Sequence, residues 1–304
     1  MAIRVHEPVM VEEVLKHLRP RPGDVMVDLT VGAGGHSDRI LREMGPRGRV
    51  IGLDRDVQAL RIAESVLAPY GERATLVESC ADQLQAVLER LQIREVNGIL
   101  MDLGVSSMQL DQGDRGFSFR TDGPLDMRMS PGRGKSAREL IEELSATELA
   151  HVLKTYGDEP SAVRIAERLK ELCRRRAPRT TMELANFIES LHPARGAGRS
   201  FVHPATQVFQ ALRIAVNDEM GQLERTLPAA ERALTVGGRL AVISFHSIED
   251  RIVKNHFRDG VRAASLRLVT QRPEVPTEEE KKRNPRSRSA KLRVVEKIAG
   301  KEAS

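Results

Sequence analysis

The sequence predicts an α/β fold: a seven-stranded, mostly parallel sheet with helices on its faces and an inserted α-helical domain. Three observations carry this. Short apolar, β-rich runs alternate with amphipathic stretches over the first 110 residues, which is the βαβ rhythm of a parallel sheet. The next such run comes about 140 residues later, far beyond a usual crossover of a dozen or more residues. The interval between carries helix-start signatures rather than strand turns.

The first four strands fall on Val25–Leu29, Arg49–Leu53, Ala74–Val77 and Gly98–Leu103. Between the second and third, Leu60, Ala63, Glu64 and Leu67 recur at helical spacing, and Gln83–Leu91 does the same before the fourth. Ser136 with Glu139, Ser145 with Glu148, and Thr180 with Glu183 each have the spacing of a capping box. Ser161–Arg176 and Ala205–Leu227 read as longer helices. The fifth strand, Arg239–Phe245, follows Gly237-Gly238; a helix over Ser247–Phe257 leads to two last β-runs, Ser265–Thr270 and Ala290–Ile298, joined by a charged loop. Residues 1–112 and 213–304 are thus expected to build the sheet domain, and 113–212 the helical insert.

Composition narrows the function classes. The 304 residues are 40% hydrophobic and 30% charged, and the longest apolar run is Leu240–Ile243 against about 20 residues for a membrane span, so no membrane partner is expected. Met1–Leu18 lacks the apolar core of a secretory signal, which points to the cytoplasm. Cys80 and Cys173 have no companions at metal-ligand or disulfide-framework spacing. With no Trp, seven Phe and two Tyr, recognition by rows of stacking aromatics is disfavoured. The net charge of +5 permits a polyanionic partner. Basic residues concentrate between Ser161 and Thr180, including Arg174, Arg175 and Arg176, and from Lys281 to Ser304, including Arg286 and Arg288. Both are candidate phosphate tracks.

The first strand runs through Asp28 into Gly32-Ala33-Gly34-Gly35-His36-Ser37. Glycines there let backbone approach a ligand at the carboxyl edge of the sheet. Asp54, ending the second strand, is placed to accept hydrogen bonds from ribose hydroxyls, so the pair signals a nucleoside site. The spacing after Gly34 departs from a dinucleotide fingerprint, which disfavours NAD. Asp102 ends the fourth strand and opens a Gly-rich loop to Met129 that holds enough apolar side chains to suggest a lid. His246 follows the fifth strand, where a substrate-facing residue would sit.

These segments, with His6-Glu7-Pro8-Val9, Tyr156-Gly157-Asp158-Glu159, His203-Pro204-Ala205-Thr206, Phe209–Ile214, Val242–Ser247 and Asn284–Arg293, resemble the RsmH (MraW) family over nearly the whole chain. That family consists of S-adenosylmethionine-dependent methyltransferases acting on N4 of a cytidine in the decoding centre of bacterial 16S ribosomal RNA. The resemblance implies a class I, Rossmann-like methyltransferase sheet and S-adenosylmethionine as cofactor. It also implies 16S rRNA within the small ribosomal subunit as partner, and a helical insert that recognises substrate. It places cofactor contacts on Gly34, Gly35, His36, Asp54, Asp102 and Gln109. Where the family tends to set an aromatic residue against the adenine, this chain has Ala81. Arg174, Arg175, Arg176, His246, Arg286 and Arg288 are the expected substrate contacts. Asp102 is the candidate acceptor for a hydrogen bond from the target amine. Two other classes stay open: a methyltransferase of small molecules or proteins, which would not need two basic clusters, and a non-catalytic ribosome-assembly factor, which would not need the glycine turn with Asp54 and Asp102.

Overall fold

A computed structural model describes residues 8–192 and 203–299. His6 and Glu7 of the first motif and Lys301 of the second basic cluster lie outside the described residues. The chain forms two compact units, one from 1–104 with 220–304, the other Val105–Glu219.

The first unit opens with α1 (Val11–Leu18), β1 (Val25–Asp28), α2 (Gly35–Met44), β2 (Arg49–Asp54), α3 (Val57–Leu67), β3 (Ala74–Glu78), α4 (Leu84–Arg90) and β4 (Val96–Asp102). The second holds α5 (Ser107–Asp111), α6 (Ala137–Glu143), α7 (Ala146–Gly157), α8 (Ala162–Arg175), α9 (Thr181–Ser190) and α10 (Ala205–Asn217). The chain returns to the first unit through α11 (Glu219–Ala233), β5 (Leu234–Ser244), α12 (Ser247–Arg262), β6 (Leu266–Leu268), α13 (Glu278–Arg283) and β7 (Lys291–Lys297).

The sheet order is β3-β2-β1-β4-β5-β7-β6, with β7 antiparallel to both neighbours and the other pairs parallel. Alternate residues of each strand feed opposite faces. Val27, Ile51 and Ile99 pack with Leu84 and Leu88 of α4, Leu223 and Leu227 of α11, and Phe257 of α12. Met26, Val50 and Leu100 pack with Leu18 of α1, Ile40 and Leu41 of α2, and Leu60 of α3. Both faces are therefore covered, which is why the central strands read as unbroken apolar runs. From β1 the chain winds outward through β2 and β3, and from β4 in the other direction, so the strand order reverses between β1 and β4. In open α/β sheets that is where ligands bind, at the carboxyl ends.

The second unit packs α6, α7, α8, α9 and α10 around Ile141, Leu149, Leu153, Ile165, Leu184 and Leu212. Ser136 and Ser145 each form the full reciprocal capping box. Thr180 caps α9, but the Glu183 carboxylate turns instead to the Arg179 amide and the Arg176 guanidinium. The unit begins at Val105 and ends at Glu219, outside the expected 113–212, because Val105 and Leu110 pack on its core and α10 runs through it.

Two helix boundaries also differ. Ala205–Leu227 is not one helix: Asp218 takes a left-handed conformation (φ 48°) that ends α10. The next helix then continues past Pro228. A proline inside a helix costs about 3 kcal/mol, offset here by burial of Ala229 and by packing of Ala230 and Ala233 on the sheet's core. The fifth strand starts earlier than expected. Its ladder skips from Val96↔Leu234 to Gly98↔Arg239, so Thr235–Gly238 form a bulged excursion.

The loop from 102 to 129 is no surface lid of apolar side chains. Phe117, Leu125, Met127 and Met129 belong to the second unit's own core. Arg115, itself buried, donates to the carbonyls of Arg128 and Met129. Asn217 accepts from the Met129 amide at 2.8 Å and donates to the Met127 carbonyl at 2.7 Å. At Gly116, with φ 72°, an added Cβ would lie 2.2 Å from the Pro124 carbonyl oxygen, so only glycine fits this turn.

Candidate active site

Three of the first unit's parallel strands, β1, β2 and β4, end in an aspartate: Asp28, Asp54 and Asp102. Asp28 is buried; its Oδ1 accepts from the Thr30 amide at 3.2 Å and its Oδ2 from the Ser37 hydroxyl at 2.8 Å. Burial still pushes its carboxyl up to about 6, the two hydrogen bonds opposing. Asp54 accepts from the Gly32 amide at 2.9 Å and the Asp56 amide at 2.8 Å. It too is pushed up to about 6 by burial, with smaller contributions from the charges of Asp56 and Asp28.

Asp102 is the least satisfied of the three. Its amide donates to Thr30 Oγ1 at 2.7 Å, but its Oδ1 is buried without a hydrogen-bond partner among the described residues. Burial raises its carboxyl well above the usual range, and the charges of Asp28 and Glu249 raise it further. His36 Nδ1 lies 3.7 Å from Asp102 Oδ2. That histidine is no counter-ion: burial lowers its pKa to about 4, and its Nε2–H donates to the Val9 carbonyl at 2.8 Å. The neutral ring therefore turns the Nδ1 lone pair toward the carboxylate.

The carboxyl edge thus gathers three acidic groups, each raised by burial, with the charge of Asp28 raising Asp54 and Asp102 further. Such a site favours a cationic ligand, which would restore the ionised form of each carboxylate.

The glycines have reasons of their own. Gly34 is the N-cap of α2 at φ 86°, and a Cβ there would press on Ala63 Cα at 3.3 Å. A Cβ on Gly35 would meet Pro8 at 3.1 Å. The turn brings α2 close to α3 and to the start of the described chain, and leaves the Gly32 amide on Asp54. Ala81 begins a short 3-10 turn and packs on the sheet's core.

His246 is the N-cap of α12 rather than a free side chain. Its Nδ1 accepts from the Glu249 amide at 3.4 Å, and Glu249 Oε2 accepts from the amides of Phe245 at 2.8 Å and His246 at 3.3 Å. Because β7 runs antiparallel and Lys291 pairs with Ser244, the turn Pro285–Ser289 before it lies at the same carboxyl edge. Arg286 and Arg288, both exposed, therefore share the edge with Asp102.

The basic segment from Lys281 is not a tail. It spans α13, this turn and β7, where Arg293 is bound to Asp250 at 2.7 Å and Lys297 donates to the carbonyls of Arg232 and Leu234. In the second unit, Gln109 closes a capping box with Ser106, so its side-chain oxygen is spent on that residue's amide. Arg174 and Arg175, in the last turn of α8, are exposed. Cations there also suit the helix dipole. Arg176 is held by Glu183 at 2.7 Å.

Asp28, Thr30 and Glu249 were not singled out from the sequence. A carboxylate closing an apolar strand just before a glycine turn was the available signal for Asp28. Glu249 follows His246 at capping-box spacing, disguised by a histidine in the usual Ser/Thr position.

Comparison with known proteins agrees with this architecture. A protein 47% identical over 309 residues, covering 96% of this chain and 98% of its own, is the ribosomal RNA small subunit methyltransferase H of Heliobacterium modesticaldum. Proteins of the same description match from Symbiobacterium thermophilum, 46% identical over 98% of both chains, and Geobacter sulfurreducens, 46% identical over 96% of this chain and 99% of that one. The model of the MraW methylase family matches residues 4–298, and the chain belongs to that family.

Proposed function

We propose that this protein transfers a methyl group from S-adenosylmethionine to N4 of a cytidine in the decoding centre of 16S ribosomal RNA, working on the small subunit in the cytoplasm. The observation that carries the cofactor half is the acidic carboxyl edge, where Asp28, Asp54 and Asp102 close three strands beside the glycine turn. Among the described residues no helix is long and apolar enough to cross a membrane. Family membership and the relatives' descriptions support the ribosomal substrate. Residues 105–219 supply substrate recognition through Arg174 and Arg175, and the carboxyl edge of the sheet adds Arg286 and Arg288.

The residues present fit this cofactor, which supplies a methyl group on a positively charged sulfur. Asp54 retains lone pairs beyond the two backbone bonds it accepts, enough for ribose hydroxyls. Gly34 and Gly35 shape the turn beside it. The cytosine amino nitrogen is a weak nucleophile because its lone pair is delocalised into the ring. A hydrogen bond from N4–H to Asp102 localises that pair and opposes the positive charge that grows on nitrogen. After transfer the departing proton passes to Asp102 Oδ1, a carboxylate whose burial makes it a better proton acceptor than an exposed one.

Cofactor affinity is expected to depend on pH with a definite sign. Asp28 and Asp54 ionise near 6 in the ligand-free protein instead of 3.8. A raised acid pKa means the folded state binds the proton more tightly, so this contribution to stability is full below about pH 4 and lost as pH rises through about 6. A cationic ligand prefers the ionised form, so its affinity rises over the same window, by about tenfold between pH 5 and pH 7 for one group that must ionise. Calorimetry should show proton release at pH 5.5, and Asp54→Asn should weaken binding and flatten the profile. A flat profile in the wild type would remove the carboxylates from the cofactor site.

The test of the whole reading is labelled-methyl transfer to small subunits from cells lacking the protein, followed by mapping of the modified nucleotide. Label on a cytidine N4 in the decoding centre is the expected result; label elsewhere, or on protein, would overturn it.

A further inference from the structure

We propose that the opposite, amino edge of the sheet carries a second site, which takes a phosphate group of the ribosomal RNA backbone. The inference rests on the proposed RNA substrate and extends it to a face of the protein remote from the chemistry.

A depression of about 440 Å³ opens there, walled by Arg19, Arg21, Asp24, Arg239, Arg267 and Glu296. The bulge in β5, where Gly237 turns at φ 84°, also lines it. The four arginines divide into two kinds. Arg239 is a fixed anchor: it donates through Nε and a terminal nitrogen to Glu296 at 3.1 and 3.0 Å, and to the His17 carbonyl at 2.6 Å. Arg267 shares the same carboxylate. Glu296 is thereby neutralised twice over, and Asp24 spends an oxygen on the Arg21 amide at 2.8 Å.

Arg19 and Arg21 are the other kind. Their side chains are exposed and have no partner among the described residues. They alternate with Pro20 and Pro22, whose rings fix the local backbone, so the two guanidinium groups are presented by a stiff segment and little chain entropy is lost on binding. Arg19 sits at the C-cap of α1 at φ 50°, a conformation that favours glycine. An arginine kept there at a backbone cost, beside a second free arginine and over a positively charged cavity, is suited to bind an oxyanion.

A polymer explains why such a site should stand at this edge. The strand β4 separates the two edges by about 20 Å over its seven residues at roughly 3.3 Å each. A single nucleoside cannot touch both. A folded RNA whose target base reaches Asp102 can lay a neighbouring backbone segment across the amino edge, and the contact adds affinity without reading sequence.

The same chemistry could serve a free di- or triphosphate, so the test has two arms. Wild type, Arg19→Gly and the Arg19→Glu, Arg21→Glu double variant are compared for binding to unmethylated small subunits over a range of salt, and inorganic pyrophosphate is titrated against each by calorimetry. Arg19→Gly suits the left-handed backbone and should leave the unfolding temperature equal or higher, so a loss of binding in it is not a folding defect. The double variant should lose roughly 0.7 to 1.8 units of salt slope, the equivalent of one or two phosphate contacts, with cofactor affinity unchanged. Unaltered RNA affinity and slope in both variants would overturn the proposal. Pyrophosphate binding that the variants abolish while RNA binding persists would overturn the RNA occupant and assign the site to a small phosphate ligand. Methyl transfer by the wild type is measured on the same subunits: its absence sinks the functional reading, whereas its presence with unaffected variants sinks this site alone.

Discussion

Asp102→Asn is expected to slow single-turnover methyl transfer by about 10²-fold or more, the scale of losing one preorganised electrostatic partner, while cofactor affinity changes far less. Asn keeps the shape and one carbonyl acceptor but not the charge. In the wild type that charge has a buried, unpartnered oxygen, a neutral histidine ring 3.7 Å from the other oxygen, and no competing cation described nearby. On the proposed reading it is the group that acts on the reacting amine. Rapid-quench measurement at saturating cofactor separates the roles. A parallel fall in cofactor affinity with an unaltered saturated rate would make Asp102 a binding residue only.

Asn217→Ala is expected to destabilise the second unit by roughly 2 to 6 kcal/mol, because it strands two buried backbone groups at about 1 to 3 kcal/mol each. They are the Met129 amide and the Met127 carbonyl. Met127 is moreover held at φ 64°, unfavourable for any side chain with a Cβ, and the Asn217 amide is one of the groups that pin it there. Amide hydrogen exchange at 127–129 should accelerate together with a lower denaturant midpoint. A loss below about 1 kcal/mol would mean that Arg115 and the glycine turns hold the loop unaided.

Much of the first unit was legible in the sequence because a parallel sheet buried on both faces must write its strands as apolar runs, as at Ile99–Met101 and Leu240–Ile243. The insert was legible through the serine caps at Ser136 and Ser145. Less legible were features decided by tertiary packing. The helix that continues past Pro228 does so because three alanines bury beyond it. The bulge at Thr235–Gly238 depends on a register that only the neighbouring strand sets. Arg293 and Lys297 look like tail charges in one dimension, but β7 hands them to Asp250 and to the end of α11. At the candidate site, Asp54 and Asp102 announced themselves at strand ends. The capping duties of Gln109 and His246 did not: Ser106 with Gln109 has the usual spacing but sits inside the Gly-rich loop, and His246 stands where Ser or Thr is usual.

The three strand-end carboxylates bear also on how the reaction ends. Transfer would leave the cofactor a neutral thioether, without the positive charge that ionised Asp28 and Asp54 would favour. On the proposed reading, the same edge that would capture the charged form would hold the used one less tightly, a discharge step that requires no moving part. The preference should shrink at pH 5, where protonation has already quieted Asp28 and Asp54.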